Sequence, residues 1–584
     1  MNKSVSSIRI ERNVPMETRD GTILRADIFR PDVNQKHPAI LTRTPYNKVH
    51  SEDTDFKLFP SVQNGYVQVF QDLRGRYASE GKYDGGDLYL TVEANDGYDA
   101  VEWVASQPWC DGNVGTAGGS YLARVQWMLA KENPPHLKAI APWISSCTPT
   151  SAGTFLYGVI NLIMGASSAL TMGQGIAENL EKQGKDASKM REMLNRGTAH
   201  PEEILNFLPL RDIPHFNFEG LKEIWNARGL DAIPRVEDLH KAVWAYSKVK
   251  VPCFQLSGWY EFNNRGTLIN YENMKKQGGS KLAREGQHML LGPWSHQQQG
   301  ISLGDINFGD VADARVMGLV DYNLSFYNKY LLGMDIKLPT VRYFVMGKNN
   351  WRDADDWPLP QTQWQRFYLH SSGPANSSSG NGSLSRNEPA SETPDTFVYD
   401  PLNPVPTTGG AWSTGNGFVP GPIDQSRIER REDILCYTTP ELKEDIEICG
   451  PLELHLFAAT SARDTDFTAK LVDVYPDGRA YNVASGIIRA RYRNSIFSPE
   501  FLTPEEVIEY KVNLVATSNA FFKGHHIRID VSSSSFPEFD RNMNTGKAVG
   551  EDTTGIKAKQ TIYHQTNQAS YIDLPVIPTI KKSV

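Results

Sequence analysis

Gly112-Asn-Val-Gly-Thr-Ala-Gly-Gly-Ser-Tyr-Leu-Ala123, running on into Arg124-Val-Gln-Trp-Met-Leu-Ala130, is the stretch that decides how this chain reads. A run of small residues drops onto a lone Ser120, and a helix-competent segment begins at once. That pattern reads as a strand–turn–helix elbow. The serine sits at the tip of a strained turn, and its neighbours must be small enough for strand and helix to pass closely. The usual spacing is Gly-x-Ser-x-Gly. Here Gly118 fills the first position, Leu122 stands in the second, and Ala123 follows one place later. Gly-Gly-Ser is also a common loop sequence, so the motif needs support from the rest of the chain.

The 584 residues suffice for about two to four domains with sizeable cores. Hydrophobic residues at 40% and charged residues at 22% are those of an ordinary soluble protein. A formal net charge of −8 supplies no basic face, which argues against nucleic acid as a partner. The first ten residues contain no apolar core of a secretory signal, and no apolar run approaches the ~20 residues of a membrane span. Phe155 to Leu170, the longest apolar-looking stretch, reads as a buried helix. The five cysteines (Cys110, Cys147, Cys253, Cys436, Cys449) are scattered and odd in number, so a reduced, cytoplasmic protein is expected. No metal or organic cofactor is expected, because the histidines show no ligand spacing. The sequence leaves homo-oligomerisation open.

The first part of the chain alternates core strands with helices. Ala39–Thr42, Tyr66–Phe70, Val114–Ala117, Leu137–Ala141, Val251–Leu256 and His288–Leu291 read as strands, and Thr91–Ser106 carries helical spacing. Such alternation implies a mostly parallel sheet covered on both faces. From Ser145 to about Lys248 the pattern turns helical, with amphipathic stretches around Ile176–Leu194 and Pro201–Phe207, so this segment reads as an inserted cap. Ser371–Thr393 is rich in Ser, Gly, Asn and Pro and reads as a long exposed loop. Beyond it, short alternating segments such as Leu452–Phe457, Phe467–Val474, Val507–Val515 and His526–Val531, separated by turns such as Pro476-Asp-Gly478, suit an antiparallel sandwich. The expected architecture is an α/β-hydrolase domain (1–144 and 249–352), a helical cap (145–248) and a C-terminal all-β antiparallel sandwich (353–584).

A nucleophilic serine needs a base, an acid that orients the base, and donors for the oxyanion. In an α/β-hydrolase these follow in the order Ser, acid, His, each from a loop at a strand's C-terminal end. Leu290-Leu-Gly-Pro-Trp-Ser-His296 supplies a strand exit ending in the candidate base His296. The preceding strand's exit, Gln255-Leu-Ser-Gly-Trp-Tyr-Glu261, supplies the candidate acid Glu261. The separations, 141 residues from Ser120 to Glu261 and 35 from Glu261 to His296, leave room for the cap and one further helix. Taken singly, either residue could be a solvated or core side chain; order and loop placement together make the triad.

The chain also resembles the family of cocaine esterase, the α-amino acid ester hydrolases and the X-prolyl dipeptidyl-peptidases (the CocE/NonD and S15 hydrolases). The matching stretches are Arg43-Thr-Pro-Tyr46, Gln71-Asp-Leu-Arg-Gly75 with Ala78-Ser-Glu-Gly81, Asp96-Gly-Tyr-Asp99 and Gln107-Pro-Trp109. Further on come Gly112 to Tyr121, Gly258-Trp-Tyr260, Gly292-Pro-Trp-Ser-His296, Tyr399-Asp-Pro401, Pro404-Val-Pro406 and Gly409-Gly410. They run in order through nearly the whole chain. The resemblance implies the same three-part architecture with a C-terminal all-β jelly-roll sandwich, Ser120 as nucleophile, His296 as base, and an oxyanion hole made by the Tyr121 backbone N–H and the Tyr46 phenol. Two positions depart from the family's pattern: Glu261 where aspartate is usual, and Ala123 where glycine is usual. Arg74, Asp72, Asp96 and Asp99 lie in matching stretches and read as loop braces.

The expected reaction is acyl transfer from a small-molecule ester to water. Cleavage of an amide or of an X-prolyl peptide is the second reading, and a hydrolase scaffold that only binds, its activity lost with the Asp-to-Glu change, is the third. Trp143, before the cap, and Trp412, near a sandwich loop, are candidates for an acyl pocket, with core packing as the plain alternative.

Overall fold

The computed structural model describes residues 7–50, 58–83, 90–146, 155–156, 158–226, 230, 245–412 and 418–578. Cys147 lies outside the described residues. Ten strands form the first sheet: β1 (Ile8–Glu17), β2 (Ile23–Pro31), β3 (His37–Thr44), β4 (Val67–Asp72), β5 (Cys110–Gly119), β6 (Leu137–Trp143), β7 (Cys253–Tyr260), β8 (Gln287–Ser295), β9 (Val341–Val345) and β10 (Asn350–Ala354). Their spatial order is β1-β2-β4-β3-β5-β6-β7-β8-β9-β10. The run from β4 to β9 is parallel, with antiparallel strands at both edges.

Successive residues of the parallel strands feed two different cores, as the two-residue period of a strand requires. Ile140 and Cys253 join one apolar cluster, with Val101 and Val104 of helix α1 (Leu90–Ser106) and Trp127 and Leu129 of helix α2 (Tyr121–Ala130). Ala139, Ala141 and Phe254 join the other, beneath Leu324, Phe326 and Tyr327 of the Leu319–Tyr330 helix. Every residue of β4, β7 and β8 is buried, polar ones such as Gln68, Asp72, Gln255 and Gln287 included, as expected of strands covered on both faces.

The cap is helical, but its amphipathic stretch over Ile176–Leu194 is two helices, Leu162–Lys182 and Ser188–Ala199. Gly184, at φ +73, interrupts it. Phe155 to Leu170 likewise divides: Phe155–Leu156 and Val159–Ile160 form a short hairpin, and the helix starts only after Asn161, whose side chain accepts from Met164 N. The cap's core gathers Ile163, Leu170, Leu194, Ile204, Phe216 and Trp225.

An eleven-stranded sheet closes the C-terminal part into a β-sandwich, with Ile446–Thr460 and Ile508–Phe521 as its longest pair. The Ser371–Thr393 segment is not wholly an exposed loop. Gly382–Ser385 pairs with Gln363–Ser371 and plants Leu384, fully buried, in the sandwich core. Composition hid this strand because only one of its four residues is apolar. The sandwich shares its core with the β8–β9 side of the first sheet, through Met289, Leu291, Val341 and Phe344. It also grips the cap, where Leu162 N donates to Glu538 O (2.7 Å) and Ile160 N to Asp540 Oδ1 (2.8 Å). This is an α/β-hydrolase core with a helical cap and a C-terminal β-sandwich.

Burial of the Glu538 carboxyl pushes its pKa up to about 7, opposed by a hydrogen bond from Ser535 Oγ and by Lys470. The folded protein therefore holds this proton more tightly than the unfolded chain does, where glutamate titrates near ~4.3. The stability it contributes is fully present below that value and is lost as pH rises through about 7. Glu538→Gln should flatten the fall in stability between about pH 5 and pH 8. Urea midpoints across that range test this, and wild-type and variant curves that stay parallel would refute it.

Candidate active site

The four chain segments singled out by sequence all emerge at the carboxyl edge of the first sheet, where ligands bind in open α/β sheets. Tyr46 follows β3, Ser120 follows β5, Glu261 follows β7 and His296 follows β8. Ser120 has φ 57° and ψ −119°, a strained backbone for a non-glycine residue. The turn is possible because Gly118 has φ +129 and a Cβ there would lie 2.6 Å from Leu122 Cβ. Ser120 N donates to Trp143 O (3.0 Å), tying the tip to β6. Ala123 is buried in the first turn of α2, where helical backbone accepts alanine in place of glycine.

A buried amide braces the elbow from beneath, and sequence reasoning missed it. Gln126 Nε2 donates to Gly118 O (2.9 Å), while its Oε1 accepts from Thr116 Oγ1 (2.9 Å) and Ala141 N (3.0 Å). One side chain thus ties β5, β6 and α2 together. Nothing in its type or spacing announces it.

His296 Nδ1 lies 2.9 Å from each carboxylate oxygen of Glu261. The Glu261 side chain is fully buried, and its Oε1 also accepts from Asn263 N (2.9 Å). A carboxylate partner places a proton on Nδ1, which in the neutral ring leaves Nε2 as an acceptor. Phe262 stacks on the imidazole, ring centres 4.4 Å apart, and fixes its plane. The Glu261 backbone is held in the β7–helix turn, where Asn264 N donates to Glu261 O (2.9 Å). Among the described residues Ser120 Oγ makes no hydrogen bond, and His296 bonds only to Glu261. Catalytic hydrogen bonds are often long or poorly aligned before substrate arrives.

Tyr46 and Tyr121 meet edge to face, with ring centres 6.2 Å apart. Tyr46 N donates to Thr44 Oγ1 (3.0 Å). The two candidate pocket tryptophans have packing partners instead. Trp143 is buried in the core cluster with Leu256 and Trp294, and Trp412 is buried in the cap cluster, its ring against Phe418. A cavity does adjoin the acid, lined by Trp259, Glu261, Phe262, Asn264 and Glu538, but Ser120, Tyr46 and His296 do not line it. Arg74 pairs with Asp96 (2.6 Å) and Asp20 (2.9 Å), and Arg19 with Asp99 (2.7 Å), so these charges brace loops as read.

The sandwich holds a second Ser–His–Glu alignment: Ser385 Oγ lies 3.1 Å from His370 Nε2, and His370 Nδ1 lies 2.7 Å from Glu392. There Nε2 also lies 2.8 Å from Asn387 O, so it is committed as a donor, and Ser385 sits in an ordinary strand. That arrangement has no free base. Among the described residues no group of three His, Cys, Asp or Glu could hold a metal ion, and no helix is long and apolar enough to cross a membrane.

The elbow, the buried His–carboxylate pair and the fold are those of a serine hydrolase. Residues 20–298 match the X-Pro dipeptidyl-peptidase (S15) family, and residues 335–573 match the X-Pro dipeptidyl-peptidase C-terminal non-catalytic domain. The chain is 34% identical to the cocaine esterase of Rhodococcus sp. (strain MB1 Bresler), over 97% of this chain and 98% of that one. An aminopeptidase from a marine-sediment Thaumarchaeota archaeon superposes with a TM-score of 0.80 at 25% identity, covering 99% and 98% of the two chains. An α-amino acid ester hydrolase shares the fold at a TM-score of 0.75 and 24% identity, covering 99% and 98%. The chain belongs to the family of cocaine esterase and the S15 peptidases.

The close approach at Gly118 sets a limit on substitution. Gly118→Val would bring a β-branched side chain to a positive φ and against Leu122 Cβ. Overpacking and backbone strain together should cost about 3 kcal/mol or more. Urea denaturation measures this, and a loss under about 0.5 kcal/mol, the usual size of a surface effect, would contradict the account.

Proposed function

We propose that this protein hydrolyses a carboxylic ester through an acyl-enzyme on Ser120. His296 takes the Ser120 proton as Oγ attacks the carbonyl carbon, then delivers it to the departing alcohol. In the second half it takes a proton from water, which attacks the acyl carbon, and returns it to Ser120 as the acid leaves. Glu261 holds the imidazole in the required tautomer and stabilises the imidazolium. The Tyr46 phenol and the Tyr121 N–H receive the oxyanion, such donors being worth about 3–4 kcal/mol each. The observation that carries this reading is the buried Glu261–His296 pair at 2.9 Å, presented on the same sheet edge as the strained Ser120. The segment 145–248 is read as a cap inserted between the two halves of the hydrolase domain, 1–144 and 249–352. Cys110, Cys253, Cys436 and Cys449 are free, which supports a reducing compartment such as the cytoplasm.

An ester is placed first because the relative at 34% identity is an esterase. An amide or peptide is the second reading, favoured by the S15 match over residues 20–298 and by the likeness to an aminopeptidase.

Intact mass after exposure to a fluorophosphonate should give one adduct on wild type and none on Ser120→Ala. Glu261→Gln should label and turn over about 10³–10⁴-fold more slowly, because the wrong tautomer is then favoured. Rapid labelling of Glu261→Gln would point to another carboxylate, and unlabelled folded wild type would overturn the hydrolase reading. Matched p-nitrophenyl ester and p-nitroanilide substrates then separate esterase from amidase.

A further inference from the structure

Arg76 lies outside the triad, yet its guanidinium is placed against the loop that carries Tyr46. It is 1% exposed. Among the described residues Nη1 and Nη2 make no well-aligned hydrogen bond; the charge lies over the rings of Tyr83 at 4.6 Å and Tyr77 at 5.1 Å and interacts with the Tyr77 phenol. A desolvated guanidinium is costly to keep. Its Nε donates to Pro45 O (2.8 Å).

That carbonyl belongs to the peptide unit joining Pro45 to Tyr46. The same unit's N–H donates to Thr44 Oγ1 (3.0 Å), so the plane is held at both ends. The flanks are pinned separately. Leu73 N donates to Thr44 O (2.9 Å), and Asp72 accepts from Lys48 N (2.8 Å) and Ala78 N (3.2 Å). Arg76 alone holds the Pro45 carbonyl among these ties.

The cap holds Arg76 in turn. A Cβ at Gly175, in the Leu162–Lys182 helix, would lie 2.1 Å from Nη2 and 2.7 Å from Cζ, so the guanidinium lies flat against bare helix backbone. Asn179 Nδ2, one turn on, donates to Gly75 O (2.8 Å).

We propose that Arg76 is a positioning residue that sets the Tyr46 phenol through the Pro45 carbonyl, and that the cap helix fixes Arg76 at Gly175, so that seating of the cap is felt in the oxyanion hole. This rests on the reading of Tyr46 as an oxyanion donor. Arginine is required because a planar group must stack between rings and donate from Nε at once, which an ammonium cannot do.

A double-mutant cycle on p-nitrophenyl butyrate tests both layers. Tyr46→Phe should lower kcat by about 10²–10³. Arg76→Met and Arg76→Lys should each lower kcat by about tenfold to a hundredfold, with KM within about twofold. In the Tyr46→Phe background either change should cost less than about twofold more, the mark of two residues acting as a unit. Gly175→Ala, which favours the helix but displaces the guanidinium, should lower kcat in the same Tyr46-dependent way and serves should Arg76→Met not fold. A harmless Tyr46→Phe overturns the oxyanion reading and the proposal with it. A damaging Tyr46→Phe with multiplicative losses overturns the role of Arg76 alone. So does full activity in Arg76→Lys, which would mean that charge, not placement, matters.

Discussion

The backbone of Ser120 is the constraint on which the rest of the site depends. Its φ of 57° costs on the order of 1–3 kcal/mol and survives only where the surroundings over-determine it. Here they do so from three sides: the bare approach of Gly118 to Leu122, the Trp143 carbonyl on the next strand, and the Gln126 amide spanning β5, β6 and α2. The strained turn stands at the sheet edge where Tyr46, Glu261 and His296 also leave β3, β7 and β8. A parallel sheet makes this common exit natural, because all its strands end on the same side.

Around that edge the molecule encloses charge in layers. Glu261 is fully buried, paired with His296 and receiving the Asn263 N–H, so its position is set by its own loop rather than by solvent. Phe262 covers the imidazole, and the sandwich lies behind the strand ends, Tyr260 OH donating to Asn482 O (3.0 Å). β7 and β8 pass tightly there: a Cβ on Gly258 would lie 2.2 Å from Trp294 O. The glycine lets the two strand exits lie close enough for Glu261 and His296 to meet.

The elbow, the parallel core and the strand exits that carry Ser120, Glu261 and His296 were legible because each rests on a local rule: small residues at a strained turn, buried strands alternating with helices, polar side chains just past a strand's end. The sandwich strands showed through two-residue alternation; His526–Val531 became the strand His526–Ser532. Gly382–Ser385 did not, since its strand character comes from Leu384 filling a core built elsewhere in the chain. Nor did the break at Gly184, where apolar spacing carried on through a glycine that ends the helix.

The sequence by itself determined the strained turn at Ser120, the parallel core and which residues stand at strand exits, because these follow from steric and burial rules acting over a few neighbouring residues. The tertiary structure alone decided which side chains touch. Gln126 under the elbow, Arg76 on the Pro45 carbonyl and Trp412 in the cap's core are amide, guanidinium and indole groups, of types found throughout the chain. Arg76 and Pro45 are 31 residues apart, and Trp412 and Trp225 are farther apart still. Such contacts depend on how whole elements pack, and no local pattern encodes them.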